Sequence, residues 1–300
     1  MTPDNELDSG QMITEVLDGV AALAEGDDSL GAELAGATML ATVSAAGDDL
    51  VPVVVQQLIP QVEGRPGPGA LALLMAVSSV ASGTHDEVAT AAAGAAERLA
   101  AMGVPKPRWA AELAEPLRTG DRLWLQDPGE TLSLLVGSFQ RAGRGHAFIV
   151  TVDHQECGAA ADIFFVHADQ LPEVLEGIAE DGLVVRTHGL DPAEFRWYVE
   201  DALDARAVHD EEDPLDAHFA LLGDADPDPE DAGPADLFEE DGDEGPPYEV
   251  MAALVRARLT TLPRPRRPAG VRGHHETATE AAAAVRGRPP VHAAGPTRQT

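Results

Sequence analysis

The hydrophobic pattern changes near residue 108, and this change constrains the fold more than any other feature of the sequence. All 12 aromatic residues lie at or beyond Trp109, and nine of them fall between Trp109 and Tyr198. Upstream, apolar residues recur every three or four positions, which predicts amphipathic helices. Downstream they alternate with polar residues, which predicts strands. Helices followed by strands with interleaved helices indicate an α+β fold.

Residues 1–115 are predicted to form an Ala-rich helical bundle. The apolar positions group into five segments, at about 13–23, 30–43, 53–62, 70–80 and 88–102. Gly and Pro residues at 64–69 separate the third segment from the fourth. Thr84 and Glu87 have the spacing of a capping box, so we expect the fifth helix to begin there.

Residues 116–209 are predicted to form an α+β core. Turn signals at 127–129 and 141–145 divide an antiparallel meander whose strands are expected at about 123–125, 131–139 and 146–152. A fourth strand at 163–166, a helix at 169–180 and a fifth strand at 183–187 follow. Asp191 as N-cap and Pro192 as the first helical residue then predict a second helix.

The rest of the chain is divided by its charge. Residues 210–246 are expected to be an acidic flexible loop, because positions 210–244 hold 16 acids and no Lys or Arg. Residues 247–263 are predicted to be a closing helix. Residues 264–300 hold seven Arg against two Glu without an apolar period, which predicts a disordered basic tail.

Composition and charge limit which partners the chain can bind and which cellular compartment it fits. The net charge of −32 would repel a nucleic-acid backbone or an anionic membrane from the folded body. The chain start lacks a secretory leader, and the longest apolar run, at 70–77, is too short to span a membrane. Cys157 is the single cysteine, which excludes an internal disulfide and fits a reducing compartment. We therefore expect a cytoplasmic protein.

The densest group of reactive side chains lies at 146–158, followed by Asp162. In the functional interpretation, Asp153 or Asp162 orients His154 as a general base, with His146 nearby. The structural interpretation is that Asp153 caps the following turn and His154 hydrogen-bonds to a backbone carbonyl.

Metal binding and nucleophilic catalysis by cysteine have weaker support from the same residues. His154 and Cys157 have a ligand-like spacing, but a structural zinc site needs four ligands and only this one pair is clean, so we expect no metal and no cofactor. Cys157 as a nucleophile is disfavoured because the neighbouring Glu156 would raise the pKa of the thiol.

The middle of the chain resembles a family of actinobacterial proteins. The resemblance rests on the segments GVPKPRWA at 103–110 and HAFIVTVDH at 146–154, with Gly158 and 162–164 after them, and it would cover about residues 50–262. The family has no established activity or cofactor, so the resemblance implies a lineage and an intracellular setting. Its pattern has small or apolar residues, and a Lys before the Asp, where this chain has 155–157 and Ala161. If those positions carry chemistry, this member has lost it.

Three functions follow from these patterns as expectations. The first is a non-catalytic protein that acts through protein–protein contacts, with the acidic loop and the Ala-rich helices as candidate surfaces. The second is a hydrolase-like enzyme that uses Asp153, His154 and Asp162, with His146 beside them. The third is a regulator of a nucleic-acid system, acting through the basic tail or through the acidic loop as a decoy.

Overall fold

The computed structural model describes residues 20, 24–45, 50–180, 186–212 and 246–273. Helices from the first third of the chain pack on one another, and a five-stranded antiparallel sheet follows them, which is an α+β fold as predicted.

The helices before the sheet lie close to the predicted segments. They are α1 (Ser29–Ala45), α2 (Val51–Val53), α3 (Ile59–Glu63), α4 (Pro68–Ala81), α5 (Asp86–Ala101) and α6 (Ala110–Leu113), with a π-helical turn (Val54–Leu58) joining α2 to α3. The segment predicted at 13–23 falls almost wholly outside the described residues. The others share one apolar core built mainly from Ala, Leu and Val.

The predicted capping box at the start of α5 is wrong. The Thr84 hydroxyl donates to the carbonyl oxygen of Ala81 at 3.2 Å, so it satisfies the end of α4 instead of the start of α5. The carboxylate of Asp86 accepts a hydrogen bond from the Gly83 N–H at 2.9 Å. The connection between α4 and α5 is short, and its polar side chains hydrogen-bond to backbone groups at the end of α4 and just after it.

The sheet contains five strands, each of which overlaps a strand predicted from the sequence. Its strands are β1 (Arg118–Gln126), β2 (Leu132–Arg141), β3 (Arg144–Asp153), β4 (Ala159–His167) and β5 (Arg186–Gly189), in the order β4-β3-β2-β1-β5. Helix α7 (Leu171–Glu180) connects β4 to β5. The first part of the predicted fifth strand, at 183–185, falls outside the described residues. Ala142 and Gly143 both have positive φ, 50° and 83°, which is the geometry of a two-residue type I′ hairpin between β2 and β3.

Helix α8 (Pro192–Glu212) covers one face of the sheet and begins where the sequence predicts. The Ala193 N–H donates to the carboxylate of Asp191 at 2.9 Å, which is the expected N-cap bond. Most of the acidic loop, 213–245, falls outside the described residues.

Helix α9 (Tyr248–Leu259) lies between the two apolar cores. It contributes Val250 and Leu254 to the core of the helices, and Met251 and Val255 to the core between the sheet and α8. The predicted closing helix is therefore buried on two sides and joins the two halves of the fold.

Ten residues of the predicted basic tail, 264–273, are described, and they contact α8. The Arg266 N–H donates to the carbonyl oxygen of Ala193 at 2.9 Å, and the Arg266 guanidinium lies 3.1 Å from Asp191 and 3.2 Å from Glu194. The remainder, 274–300, falls outside the described residues.

Candidate functional site

A charged pair lies in the interior, where α1 meets α9. Glu33 is on the buried face of α1, and Arg258 is in the last turn of α9 on the same side as Leu254. Two hydrogen bonds of 3.0 and 2.6 Å join the guanidinium to both carboxylate oxygens. The side chains are only 2% and 3% exposed. Such a bidentate pair fixes the position of α9 relative to α1.

A second guanidinium shares this carboxylate. Arg141, at the end of β2, donates from Nη1 to Oε1 of Glu33 at 2.8 Å, and the Ser79 hydroxyl donates to the same oxygen at 3.2 Å. Burial by itself would raise the pKa of Glu33, but the charges and hydrogen bonds of Arg258 and Arg141 outweigh burial and lower that pKa. Glu33 is therefore an anion at neutral pH.

The charges in this buried cluster do not balance. Guanidinium groups stay protonated in proteins, so Arg258 and Arg141 together carry two positive charges against the single negative charge of Glu33. Arg141 also has unused donors, because neither its Nε nor its Nη2 has a hydrogen-bond partner in the part of the chain that the structure describes. One positive charge is left without a negative partner. One edge of the Arg141 guanidinium is left without a hydrogen-bond acceptor.

His146 completes the cluster. Its ring lies between the rings of Phe139 and Phe165, with centroid distances of 6.1 and 5.7 Å, and the residue is 7% exposed. The Nε–H of Arg258 donates to its Nε2 at 3.0 Å. Burial, and then the charge of Arg258, lower the pKa of His146 to about 3, so the ring is neutral.

The hydrogen bond from Arg258 also fixes the tautomer of His146. A neutral imidazole that accepts at Nε2 carries its proton on Nδ1. Among the described residues, no acceptor is hydrogen-bonded to that Nδ1–H. His146 is therefore a second donor in this cluster that has no acceptor among the described residues.

Three members of this cluster, Glu33, Arg141 and His146, line a cleft of about 880 Å³ between the start of α1 and one end of the sheet, and they form its inner wall. We call it the anion cleft. Four strand ends meet there, because β1 and β3 begin and β2 and β4 end at this edge. Its lining includes Asp28, Ser29, Leu30, Glu33, Leu117, Arg118, Phe139, Arg141, Arg144, His146, His167, Ala168 and Asp169.

The outer wall of the anion cleft carries both signs of charge, with Arg118 and Arg144 against Asp28 and Asp169. In the described ranges, the Arg118 side chain has no ion pair or hydrogen bond, and Arg144 lies 3.3 Å from Glu112 at the surface. Asp28 lines the cleft, but both of its carboxylate oxygens accept backbone N–H groups at the start of α1, at 3.0 and 3.2 Å. Asp28 therefore caps the helix, and Asp169 is the other acid on the outer wall.

Of the four residues predicted as a catalytic site, His146 lies at the other end of β3 from Asp153 and His154. His146 stands near the start of β3 and Asp153 at its end, roughly 23 Å apart at about 3.3 Å per residue. His154 is hydrogen-bonded through Nε2 to the hydroxyl of Ser133 at 2.8 Å, and Ser133 is only 1% exposed. A serine so deeply buried is inaccessible to a substrate.

The two predicted carboxylates bind backbone groups. Asp153 accepts hydrogen bonds from the N–H groups of Gln155 and Glu156, at 2.7 and 3.4 Å, which matches the predicted turn cap. Asp162 accepts from the N–H of Ile163 at 2.6 Å, and burial raises its pKa. Of the predicted site residues, only His146 lines the anion cleft.

Sequence reasoning missed Glu33, Arg141 and Arg258, although a signal was present for two of them. Glu33 lies three residues after Leu30 and four before Ala37, and Arg258 lies four after Leu254. Both charges thus stand inside an apolar helical stripe. Because a buried charge needs a partner of opposite sign, two such charges in one chain predict a buried pair.

Two negative findings apply to the described residues alone. In those ranges no three His, Cys, Asp or Glu side chains are placed to hold a metal ion, and no helix combines the length and apolar character needed to cross a membrane.

Comparison of the chain with models of protein families, with curated proteins and with solved structures found no match in any of the three. The resemblance to an actinobacterial family therefore stays a prediction. The site must be interpreted from its own geometry.

Proposed function

We propose that this chain is a non-catalytic binding protein and that its recognition site is the anion cleft. The observation that carries the proposal is the sharing of one buried carboxylate, Glu33, between the guanidinium groups of Arg258 and Arg141. A buried charge without a counter-charge is costly, and an anionic group in the cleft would offset that cost.

The unused hydrogen-bonding groups support an anionic ligand. Arg141 offers Nη2 and His146 offers Nδ1–H, so each inner group that lacks a partner and lines the cleft is a donor. Charge-assisted hydrogen bonds from such donors to a carboxylate or phosphate are short and strong. A cationic ligand would meet these donors without gaining an acceptor from them.

The same donors argue against catalysis in the cleft. A general base must accept a proton near the working pH, and His146 has a pKa of about 3 with its Nε2 already accepting from Arg258. Glu33 has its carboxylate bound by two guanidinium groups. These residues would hold and orient an anion without transferring a proton. The expectation that the chain also acts through protein contacts stays a prediction.

The test is a calorimetric titration of the full chain with sodium acetate and with inorganic phosphate, at constant pH and ionic strength. We expect saturable binding of at least one anion, and a 10- to 100-fold weaker affinity in Arg141→Gln, because a hydrogen bond to a charged group contributes about 1.5–3 kcal/mol. Thermal unfolding checks that the variant is folded. Arg186→Gln is the matched control. Arg186 lies on β5 beside the opposite end of β1, is exposed and does not line the cleft.

The absence of saturable binding for both anions would refute the proposal. Equal affinities in Arg141→Gln and Arg186→Gln would also refute it, because the anion would then not be bound by Arg141.

A further inference from the structure

The anion cleft is larger than an anionic head group needs. Its volume of about 880 Å³ falls within the range of roughly 300–1,000 Å³ that is typical of sites for organic ligands. A single water occupies about 30 Å³ of liquid, and a small inorganic ion is only a few times larger. An inorganic ion bound at Arg141 would leave most of the cleft to solvent.

Part of the remaining wall is apolar. Leu30 enters from the first turn of α1, and Leu117 immediately precedes β1; both are only half-buried although they line the cleft. Phe139 and Ala168 extend this wall beside the arginines. A ligand that covered these side chains would gain the free energy of removing their apolar surface from water.

The charge of the inner wall favours a monoanion. The buried cluster has one positive charge in excess, which matches the single charge of a carboxylate. A phosphate monoester carries about −1.5 to −2 at pH 7 and would reverse the imbalance. The Nη2 of Arg141 and the Nδ1–H of His146 are the donors that a carboxylate in the cleft would meet.

We propose that the ligand of the anion cleft is a monocarboxylate with a short apolar body, its carboxylate beside Arg141 and His146 and its hydrocarbon against Leu30 and Leu117. This inference rests on the proposed function and adds the chemical class of the ligand. It assigns separate roles to the two parts of the wall: the donors bind the carboxylate of the ligand, and the leucines contact its hydrocarbon.

The experiment titrates the full chain with acetate, butanoate, hexanoate and inorganic phosphate at one pH and ionic strength, with 1-hexanol as an uncharged probe. The affinity should rise about fourfold for each methylene that becomes buried, so hexanoate should bind more tightly than acetate and phosphate. Hexanol should bind more weakly than hexanoate because it lacks the charge.

Leu117→Asn separates the two roles. It should reduce the affinity for hexanoate at least tenfold and leave the affinity for acetate within about twofold, since only the longer ligand reaches the leucines. Leu190→Asn is the control, because Leu190 is also half-buried against the sheet core but does not line the cleft. Thermal unfolding of each variant checks that it is folded.

The outcomes distinguish this inference from the proposed function. If acetate and hexanoate bind equally, or phosphate binds more tightly than hexanoate, the inferred ligand class is wrong while the anion cleft stands. If none of the anions binds, both proposals fail. If hexanol binds as tightly as hexanoate, the site is a general apolar surface and the inference is overturned.

Discussion

Lowering the pH from about 7.5 to about 5.0 should destabilise the folded chain by about 2 kcal/mol through His146 alone. Burial and the charge of Arg258 lower its pKa from 6.5 to about 3 in the folded state, whereas the unfolded chain keeps the ordinary value. Between these two pKa values the unfolded state binds the extra proton. The stabilisation is therefore complete above about pH 6.5 and falls as the pH decreases toward 3.

The size of the effect follows from the same two pKa values. At pH 5.0 an unfolded imidazole with a pKa of 6.5 is almost fully protonated, while His146 in the folded state is not. Each pH unit below 6.5 then costs about 1.4 kcal/mol, which gives about 2 kcal/mol over the interval.

Urea unfolding at the two pH values, for the wild type and for His146→Gln, measures this contribution. Glutamine keeps an acceptor for the Arg258 Nε–H but does not titrate, so the variant should lose about 2 kcal/mol less on acidification. His154, whose pKa burial also lowers, contributes to both proteins and cancels. His167→Gln is the control, since His167 is exposed and pairs with His146 across β3 and β4. Equal acid sensitivity of the wild type and His146→Gln would refute the reasoning.

Three further substitutions test the packing around the cleft. Glu33→Gln should lower the free energy of unfolding in urea by about 3–5 kcal/mol, because it leaves two guanidinium groups without their carboxylate. Glu63→Gln, in a surface pair, should lower it by less than about 1 kcal/mol. Equal losses in the two variants would contradict this reasoning. Gly36→Ala would place a Cβ 2.7 Å from the backbone of a neighbouring helix and should cost about 1–3 kcal/mol, while Gly177→Ala, with nothing within 4 Å, should raise the thermal midpoint. Ala142→Asn should stabilise the β2–β3 hairpin by about 0.5–1 kcal/mol, because Asn tolerates the positive φ of 50° better than Ala. An unchanged midpoint of thermal unfolding would argue against strain at this turn.

Most of the secondary structure could be predicted because it depends on local patterns. The alternation of apolar and polar residues and the turn at 141–145 predict β2 and β3, and the hairpin forms with Ala142 and Gly143 at its tip. The Asp191 cap predicts the start of α8. In contrast, the capping box at Thr84 was wrong because the hydroxyl donates to the carbonyl oxygen of Ala81 instead of accepting from an N–H at the start of α5. The spacing alone did not distinguish these two roles.

The candidate site could be predicted only in part. His146 belongs to the segment that the sequence singled out, but its neighbours there, Asp153 and His154, lie at the far end of the same strand. An extended strand separates residues that are close in sequence, since each adds about 3.3 Å. Nearness along the chain therefore grouped His146 with side chains that lie at the other end of its strand.

The sequence by itself determined the fold class, the order of the elements and the position of two charges inside apolar helical stripes, because each of these depends on residues a few positions apart. Only the tertiary structure decided that α9 lies between the two cores and that Arg258 meets Glu33, 225 positions away in the chain. It also decided that Arg141 shares the same carboxylate. Packing of distant segments sets these contacts.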